Sequence, residues 1–152
     1  MAVSSTHTGW RYDPSNSRLD FYYRGTRVGA ISTSGLALAA GTLDVQNSGA
    51  VAQLSSKTTG VTLNTHSGQI TMDDAALAAG AEVVFTVTNS KVAAKDVVIV
   101  NVASATASAD DYLVGVGAVG AGSFGICVAN LSAGALTEEL VLNFVVIKGT
   151  SS

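Results

Sequence analysis

The sequence has little charge, and this scarcity excludes several classes of protein. Only 12% of its 152 residues are charged, about half the share in an average globular chain. Eight basic and eleven acidic residues give a net charge of −3, so the chain lacks the positive excess typical of nucleic-acid or anionic-membrane binding. No apolar run approaches the roughly 18 residues of a membrane span, and no secretion signal is recognisable. We therefore expect a soluble protein that the general pathway does not export, with no nucleic-acid or membrane partner.

Residues that carry chemistry are also scarce. Cys127 is the only cysteine, which excludes an intramolecular disulfide, and His7 and His66 are the only histidines. His66 lies in a polar turn pattern and Cys127 in an apolar strand pattern, which favours structural roles for both. Two distant histidines and one cysteine do not make a zinc site. The sequence thus predicts a protein that is not an enzyme, with no catalytic residue, bound metal or cofactor.

Asp73-Asp74 and Asp110-Asp111 are two pairs of adjacent aspartates. Each stands at the end of a predicted strand, where aspartate favours turns and keeps sheet edges soluble. Calcium bound between loops is the alternative interpretation, because Ca²⁺ prefers several oxygen ligands.

Basic and aromatic residues are concentrated near the start of the chain. All four arginines lie within the first 27 residues, and residues 1–30 carry four arginines against two aspartates, a net charge of +2. This combination favours docking to an acidic protein surface, and stacking on nucleic-acid bases is the alternative. The candidate docking residues are Trp10, Arg11, Arg18, Tyr22, Tyr23, Arg24 and Arg27.

The first third of the chain predicts an N-terminal arm followed by a connector. Residues 1–17 are polar and hold a strong turn signal at Asp13-Pro14-Ser15-Asn16, so we expect an extended arm. Residues 18–23 and 27–31 are two β-rich runs around Arg24-Gly25-Thr26, which predicts a small hairpin. The arm and hairpin occupy residues 1–35. Residues 36–55 are too poor in large apolar groups to form a core, and we expect a connector there.

Residues 56–152 predict an all-β domain, an antiparallel β-sandwich. Short β-branched runs alternate with polar or glycine turns, as in two-layer β proteins. Thr65–Gly68 and Val119–Gly122 have the composition of hairpin connections, and residues 75–81 fit either one helical turn or a loop. The predicted strands are 60–64, 69–73, 82–88, 96–103, 111–119, 122–130 and 139–148.

One predicted strand near the end of the chain is apolar on both faces. Leu142, Phe144 and Val146 alternate with Val145 and Ile147. A single-chain sandwich buries only one face of each sheet, so these residues are candidates for the core or for a subunit interface. Either the N-terminal arm or another copy of the chain is expected to cover the second face, because the surface is so poor in charge.

Six segments in order resemble a domain found in virion proteins of tailed bacteriophages. The resemblance covers residues 56–148, and a shorter stretch, 21–36, is similar to connecting segments in phage tail fibres and head-surface proteins. The six segments are Ser56–Asn64, Ser67–Met72, Val83–Ser90, Ala94–Val100, Gly120–Phe124 and Leu142–Lys148.

The resemblance implies a non-enzymatic virion component, a trimeric jelly-roll-like β-sandwich. It is compatible with a capsid decoration (cement) protein and with a receptor-binding tail-fibre, tail-tip or head-fibre domain. The chain has neither heptads nor a β-helical repeat for a long shaft, which favours the cement protein. We therefore expect a homotrimer that is made in the host cytoplasm, binds the major capsid protein and lies on the capsid surface. A carbohydrate-binding sandwich outside any virion is a third interpretation.

Overall fold

The structure, a computed structural model, describes residues 8–39, 43–45, 47–105 and 109–149. The chain divides into two compact units, Met1–Asp44 and Val45–Ser152. Both units are built from β-strands, and the only helical segment in the described ranges is a single 3-10 turn at Ala109–Asp111. The predicted all-β class is therefore confirmed.

The first unit is a four-stranded antiparallel meander, which we call the N-terminal sheet. Arg24 and Gly25 form the turn between its second and third strands with φ angles of 47° and 79°. Two positive φ values in succession are what a two-residue type I′ hairpin turn requires, and the predicted hairpin is confirmed. In spatial order the strands are β1 (Gly9–Asp13), β2 (Arg18–Tyr23), β3 (Thr26–Ser32) and β4 (Gly35–Leu38).

The expectation of an extended arm over residues 1–17 is wrong for Gly9–Asp13, which pairs with β2 along its whole length. The turn signal after it is correct. Asp13 Oδ1 accepts a hydrogen bond from the Ser15 N–H at 3.1 Å, and Asp13 Oδ2 accepts one from the Asn16 side-chain amide at 2.8 Å. These bonds reverse the chain, and the reversal brings β1 alongside β2.

The second unit is a two-layer β-sandwich of eight strands. Its strands are β5 (Ser48–Ala52), β6 (Val61–Thr62), β7 (Ser67–Thr71), β8 (Glu82–Thr88), β9 (Val97–Ala105), β10 (Tyr112–Gly120), β11 (Ser123–Asn130) and β12 (Leu140–Ile147). The expected connector, residues 36–55, thus contains β5 and most of β4. These short segments lack the β-branched runs that mark a strand locally, and their pairing with β7 and β3 makes them strands.

The two sheets of the sandwich have the orders β5-β7-β12-β9 and β10-β11-β8-β6. Neighbours are antiparallel except for the parallel pairs β5–β7 and β6–β8. Successive strands change sheet at every connection except the β10–β11 hairpin, where Gly122 adopts a φ of 85°. The hairpin at Val119–Gly122 is therefore confirmed. The hairpin at Thr65–Gly68 is wrong, because this segment crosses from β6 in one sheet to β7 in the other. Jelly-roll connectivity stays a prediction.

The hydrophobic core of the sandwich lies between its two sheets. Along β12 the burial alternates as period 2 requires: Leu142, Phe144 and Val146 are buried, Val145 is half-buried, and Ile147 is exposed on the outer face. The segment 75–81 is a loop. Leu77 in this loop forms a backbone bridge with Leu136, and both leucines join the core.

Candidate docking surface

The alternation of side chains sorts the candidate docking residues onto opposite sides of the N-terminal sheet. In the strand register Arg11 lies opposite Asp20, Asp13 opposite Arg18, and Tyr22 opposite Arg27. Directly opposed residues point to the same side of a sheet. We call this side the charged face, and it consists of Arg11, Asp13, Arg18, Asp20, Tyr22 and Arg27.

Asp20 is the centre of the charged face. Its side chain is only 1% exposed, and two guanidinium groups converge on its Oδ1 atom: Arg18 Nε at 2.7 Å and Arg27 Nη1 at 3.5 Å. A buried carboxylate requires such partners, because desolvation of an unpaired charge is costly. Asp20 therefore fixes the direction in which both arginines lie across the sheet.

Asp13 extends this ion network to the edge of the sheet. Its Oδ2 lies 3.4 Å from Arg18 Nη2. The hydrogen bond from Asn16 lowers the pKa of Asp13, and the Arg18 charge lowers it further. The hydrogen bond to Asp20 raises the pKa of Arg18 above its ordinary value. The charges of Asp13 and Arg18 therefore persist across the physiological pH range.

Two arginines lie over aromatic rings in the same sheet. The Arg11 guanidinium carbon is 6.0 Å from the centre of the Tyr22 ring, and that of Arg24 is 5.5 Å from the centre of the Tyr23 ring. Both distances are within the range of cation–π attraction. Arg24 occupies the β2–β3 turn, and its backbone N–H donates a hydrogen bond to Thr8 Oγ1 at 3.2 Å.

The sequence grouped Trp10 with the basic residues, and the structure separates them. Trp10 lies opposite Phe21 and so belongs to the other side of the sheet. The sequence also missed the central position of Asp20. The spacing Arg18-x-Asp20 was its only signal, and such a spacing in a strand does not by itself distinguish a buried carboxylate from an exposed one.

Two of the residues considered for catalysis or metal binding, His66 and Cys127, lie in the sandwich. The backbone N–H of His66 donates to Asn47 O, and the His66 carbonyl accepts a hydrogen bond from the Val146 N–H. Cys127 is half-buried, and burial raises the pKa of its thiol, which lowers the fraction of reactive thiolate. His7 lies outside the described residues. Within the described ranges, no three His, Cys, Asp or Glu side chains are grouped to hold a metal ion.

A buried lysine that the sequence did not single out ties three loops of the sandwich together. Lys57 is 3% exposed, and its Nζ donates to the backbone carbonyl oxygens of Asp73 and, at 2.9 Å, of Glu138. Burial lowers the pKa of Lys57, while the nearby carboxylates oppose that shift. Gln53 joins the same cluster by donating to Thr59 O at 2.7 Å. Lys57 thus stabilises loop conformations, and its ammonium hydrogens point to backbone oxygens.

No family model, curated protein or solved structure matches this chain. In the part of the chain that the structure describes, no helix is long and apolar enough to cross a bilayer. The choice of a candidate site therefore rests on the geometry of the chain, and that site is the charged face of the N-terminal sheet.

Proposed function

We propose that the chain is a capsid decoration protein of a tailed bacteriophage. It binds the head surface as a homotrimer and stabilises the capsid by bridging neighbouring subunits of the major capsid protein. The fold class agrees with the virion domain that residues 56–148 resemble. The single observation that carries the docking role is the charged face, where Arg11, Arg18 and Arg27 surround one buried carboxylate.

The charged face suits an acidic protein surface for a chemical reason. Each guanidinium has five N–H donors. The contacts with Asp13 and Asp20 use only some of the donors of Arg18 and Arg27. Because Asp20 already orients these two side chains, little conformational entropy is lost when they bind carboxylates of a partner. Three arginines against two aspartates leave this face with a positive charge, whereas the chain as a whole is negative.

A binding role also fits the chemistry of the rest of the chain. Burial and the nearby Glu82 side chain raise the pKa of the Cys127 thiol, which makes it a weak nucleophile. Lys57 Nζ donates to two backbone oxygens. A cement protein needs no reactive group. It stabilises the assembled shell by mass action, because it binds the assembled state and not the separated subunits.

Reconstitution onto particles stripped of this protein tests the proposal. Substituting Arg11→Ala together with Arg24→Ala removes two positive charges and leaves the Arg18–Asp20–Arg27 cluster intact. We expect the concentration that half-saturates the particles to rise at least about tenfold, because a loss at each N-terminal sheet is multiplied across the copies of an oligomer. The matched control, Lys91→Ala with Lys95→Ala, removes the same charge from exposed positions of the sandwich and should bind as the wild type does.

The same experiment separates the cement protein from the receptor-binding alternative. A cement protein occupies many sites on each head, whereas a tail-fibre or tail-tip domain is present in few copies and adsorbs to host cells. Equal binding of both double variants would contradict docking through the arginines of the N-terminal sheet. Few copies per particle, together with adsorption of the purified protein to cells, would replace the cement function by receptor binding.

A further inference from the structure

The side of the N-terminal sheet opposite the charged face is mostly apolar. Tyr23 also lies on this side, next to the β2–β3 turn, with the Arg24 guanidinium over its ring. In the register Trp10 lies opposite Phe21, and Leu19 lies opposite both Tyr12 and Ile31. The pairs of β3 with β4 continue the same side to the far edge of the sheet. We call this side the apolar face, and it consists of Trp10, Tyr12, Leu19, Phe21, Ile31, Leu36 and Leu38.

Most of the apolar face is exposed to solvent. Trp10 is 68% exposed and Leu36 is 65% exposed, and Tyr12, Ile31 and Leu38 are exposed by about half. None of the seven side chains is charged. Together they present roughly 600 Å² of contiguous surface, at the upper limit of the largest apolar patch on an ordinary monomer.

The sheet has no core of its own to hide this face. Its other side is occupied by the ion network around Asp20, and only Ala30 among its hydrophobic side chains is fully buried. A single sheet with one apolar side becomes stable when that side packs on another layer. The apolar face therefore has the composition of one half of a β-sandwich interior.

We infer that the apolar face is the surface through which copies of this chain bind one another. Two such faces packed together bury roughly 1,200 Å², which is the lower bound of stable protein interfaces. A second copy also supplies seven side chains without charge, so packing these side chains together desolvates no ionised group among them. The aromatic residues of β1 and the leucines of β4 occupy opposite edges of the face. The bulky edge of one copy therefore fits the smaller edge of the next.

This inference rests on the self-association included in the proposed function, and it does not depend on attachment to a capsid. It assigns the two sides of one sheet to different tasks. The charged face remains available for the capsid while the apolar face is covered by other copies. Self-association and particle binding can therefore be lost separately, and separate losses distinguish the two hypotheses.

Trp10 is the only tryptophan of the chain and reports directly on the apolar face. We expect the full chain to sediment as an oligomer at micromolar concentration, with Trp10 emission at short wavelength and poorly quenched by acrylamide. Dilution should dissociate the oligomer and shift the emission to longer wavelength in the same concentration range. A monomer at every concentration would overturn the inference, and so would an oligomer whose Trp10 emission is that of an exposed indole.

Two matched variants locate the interface. Leu36→Asp places a charge in the apolar face, whereas Leu113→Asp places one at an equally exposed strand position on the sandwich, where Leu113 is 60% exposed. We expect Leu36→Asp to raise the dissociation constant of the oligomer at least about a hundredfold, since an unpaired charge would be buried, and Leu113→Asp to leave it within about threefold. An oligomer that Leu113→Asp dissociates and Leu36→Asp does not would assign the contact to the sandwich and overturn the inference.

The mass of the wild-type complex also bears on the proposed function. A trimer agrees with both hypotheses. A dimer that Leu36→Asp dissociates supports the inference and contradicts the proposed trimer. Binding of the monomeric Leu36→Asp variant to stripped particles, with weaker avidity, would show that the charged face acts on its own.

Discussion

Phe124 and Phe144 meet between the two sheets of the sandwich, with ring centroids 5.4 Å apart and ring planes inclined by 56°. Phe124 belongs to β11 and Phe144 to β12, so this tilted aromatic pair joins the middle of one sheet to the middle of the other. Both rings are almost completely buried. Such a pair contributes about 0.5–1.5 kcal/mol beyond the burial of its area.

Substituting Phe144→Ala should lower the free energy of unfolding by about 3–5 kcal/mol, because it removes a buried ring and leaves a cavity between the sheets. Urea denaturation followed by circular dichroism measures the loss. The control is Ile147→Ala on the same strand, whose side chain is exposed, and it should cost less than about 1 kcal/mol in the dissociated chain. Equal costs for the two variants would contradict the assignment of Phe144 to the core.

Gly68, in β7, lies where neighbouring residues leave little space for a side chain. A Cβ at this position would lie 2.6 Å from Leu63 Cδ2 and 2.9 Å from Phe144 Cε1. We expect Gly68→Ala to destabilise the sandwich by about 1–3 kcal/mol, the usual cost of overpacking. Gly115→Ala is the matched control, since a Cβ at that position would meet no atom within 4 Å beyond its chain neighbours. Urea denaturation should show an unchanged or slightly raised midpoint for that control.

Asp96 holds the end of the last strand to a loop of the sandwich. Its carboxylate accepts hydrogen bonds from Lys148 Nζ, from the Ala93 N–H at 2.8 Å and from the Gly149 N–H at 2.9 Å. The Lys148 bond is the largest cause that lowers the pKa of Asp96 from 3.8 to about 2. Because the folded-state pKa lies below the unfolded value, this stabilisation is complete above about pH 4 and is lost as the pH falls towards 2.

Thermal unfolding between about pH 5 and pH 2 tests the role of Asp96. This range spans its ordinary pKa of 3.8 and its folded-state pKa of about 2. The wild-type Tm should fall more steeply in this window than the Tm of Asp96→Asn, which has no carboxylate to protonate there. The variant should be less stable than the wild type at neutral pH. Parallel Tm curves for the two proteins would show that Asp96 does not contribute to the acid sensitivity of the fold.

Alternation within one strand was sufficient to predict much of the sandwich. Phe85 and Val87 in β8 and Leu142 and Phe144 in β12 are buried, as their period-2 patterns indicate. The β10–β11 turn was also predictable, because glycine at position 122 permits the positive φ that the turn requires.

Features that depend on distant partners were not predictable from local patterns. Ser48–Ala52 becomes a strand through parallel pairing with β7, and nothing in its composition indicates that partner. The turn residues at 65–68 do not reveal that the chain changes sheets there. Trp10 and Arg11 lie on opposite faces because β1 is a strand, in which successive side chains point to opposite sides of the sheet. An extended arm without a partner strand gave no reason to assign them to different faces.

The proposed bridging of capsid subunits has a mechanical consequence. Internal pressure separates capsid subunits, and a protein that bridges them adds binding free energy to the closed shell. At a free concentration 100-fold above its Kd, each site contributes about 2.7 kcal/mol, and the N-terminal sheets of one oligomer act together. Stripped particles should therefore release their genome at a lower temperature, and after milder osmotic shock, than complete particles.

Refilling the stripped particles separates this effect from damage caused by stripping. The wild-type protein and the Lys91→Ala, Lys95→Ala variant should restore the genome-release temperature, because both keep all the arginines of the N-terminal sheet. The Arg11→Ala, Arg24→Ala variant should restore it only at concentrations high enough to compensate for weaker docking. A dye that fluoresces on released DNA gives the temperature directly. If stripped particles retain their genome as well as complete ones but no longer adsorb to cells, the bridging role is wrong and receptor binding replaces it.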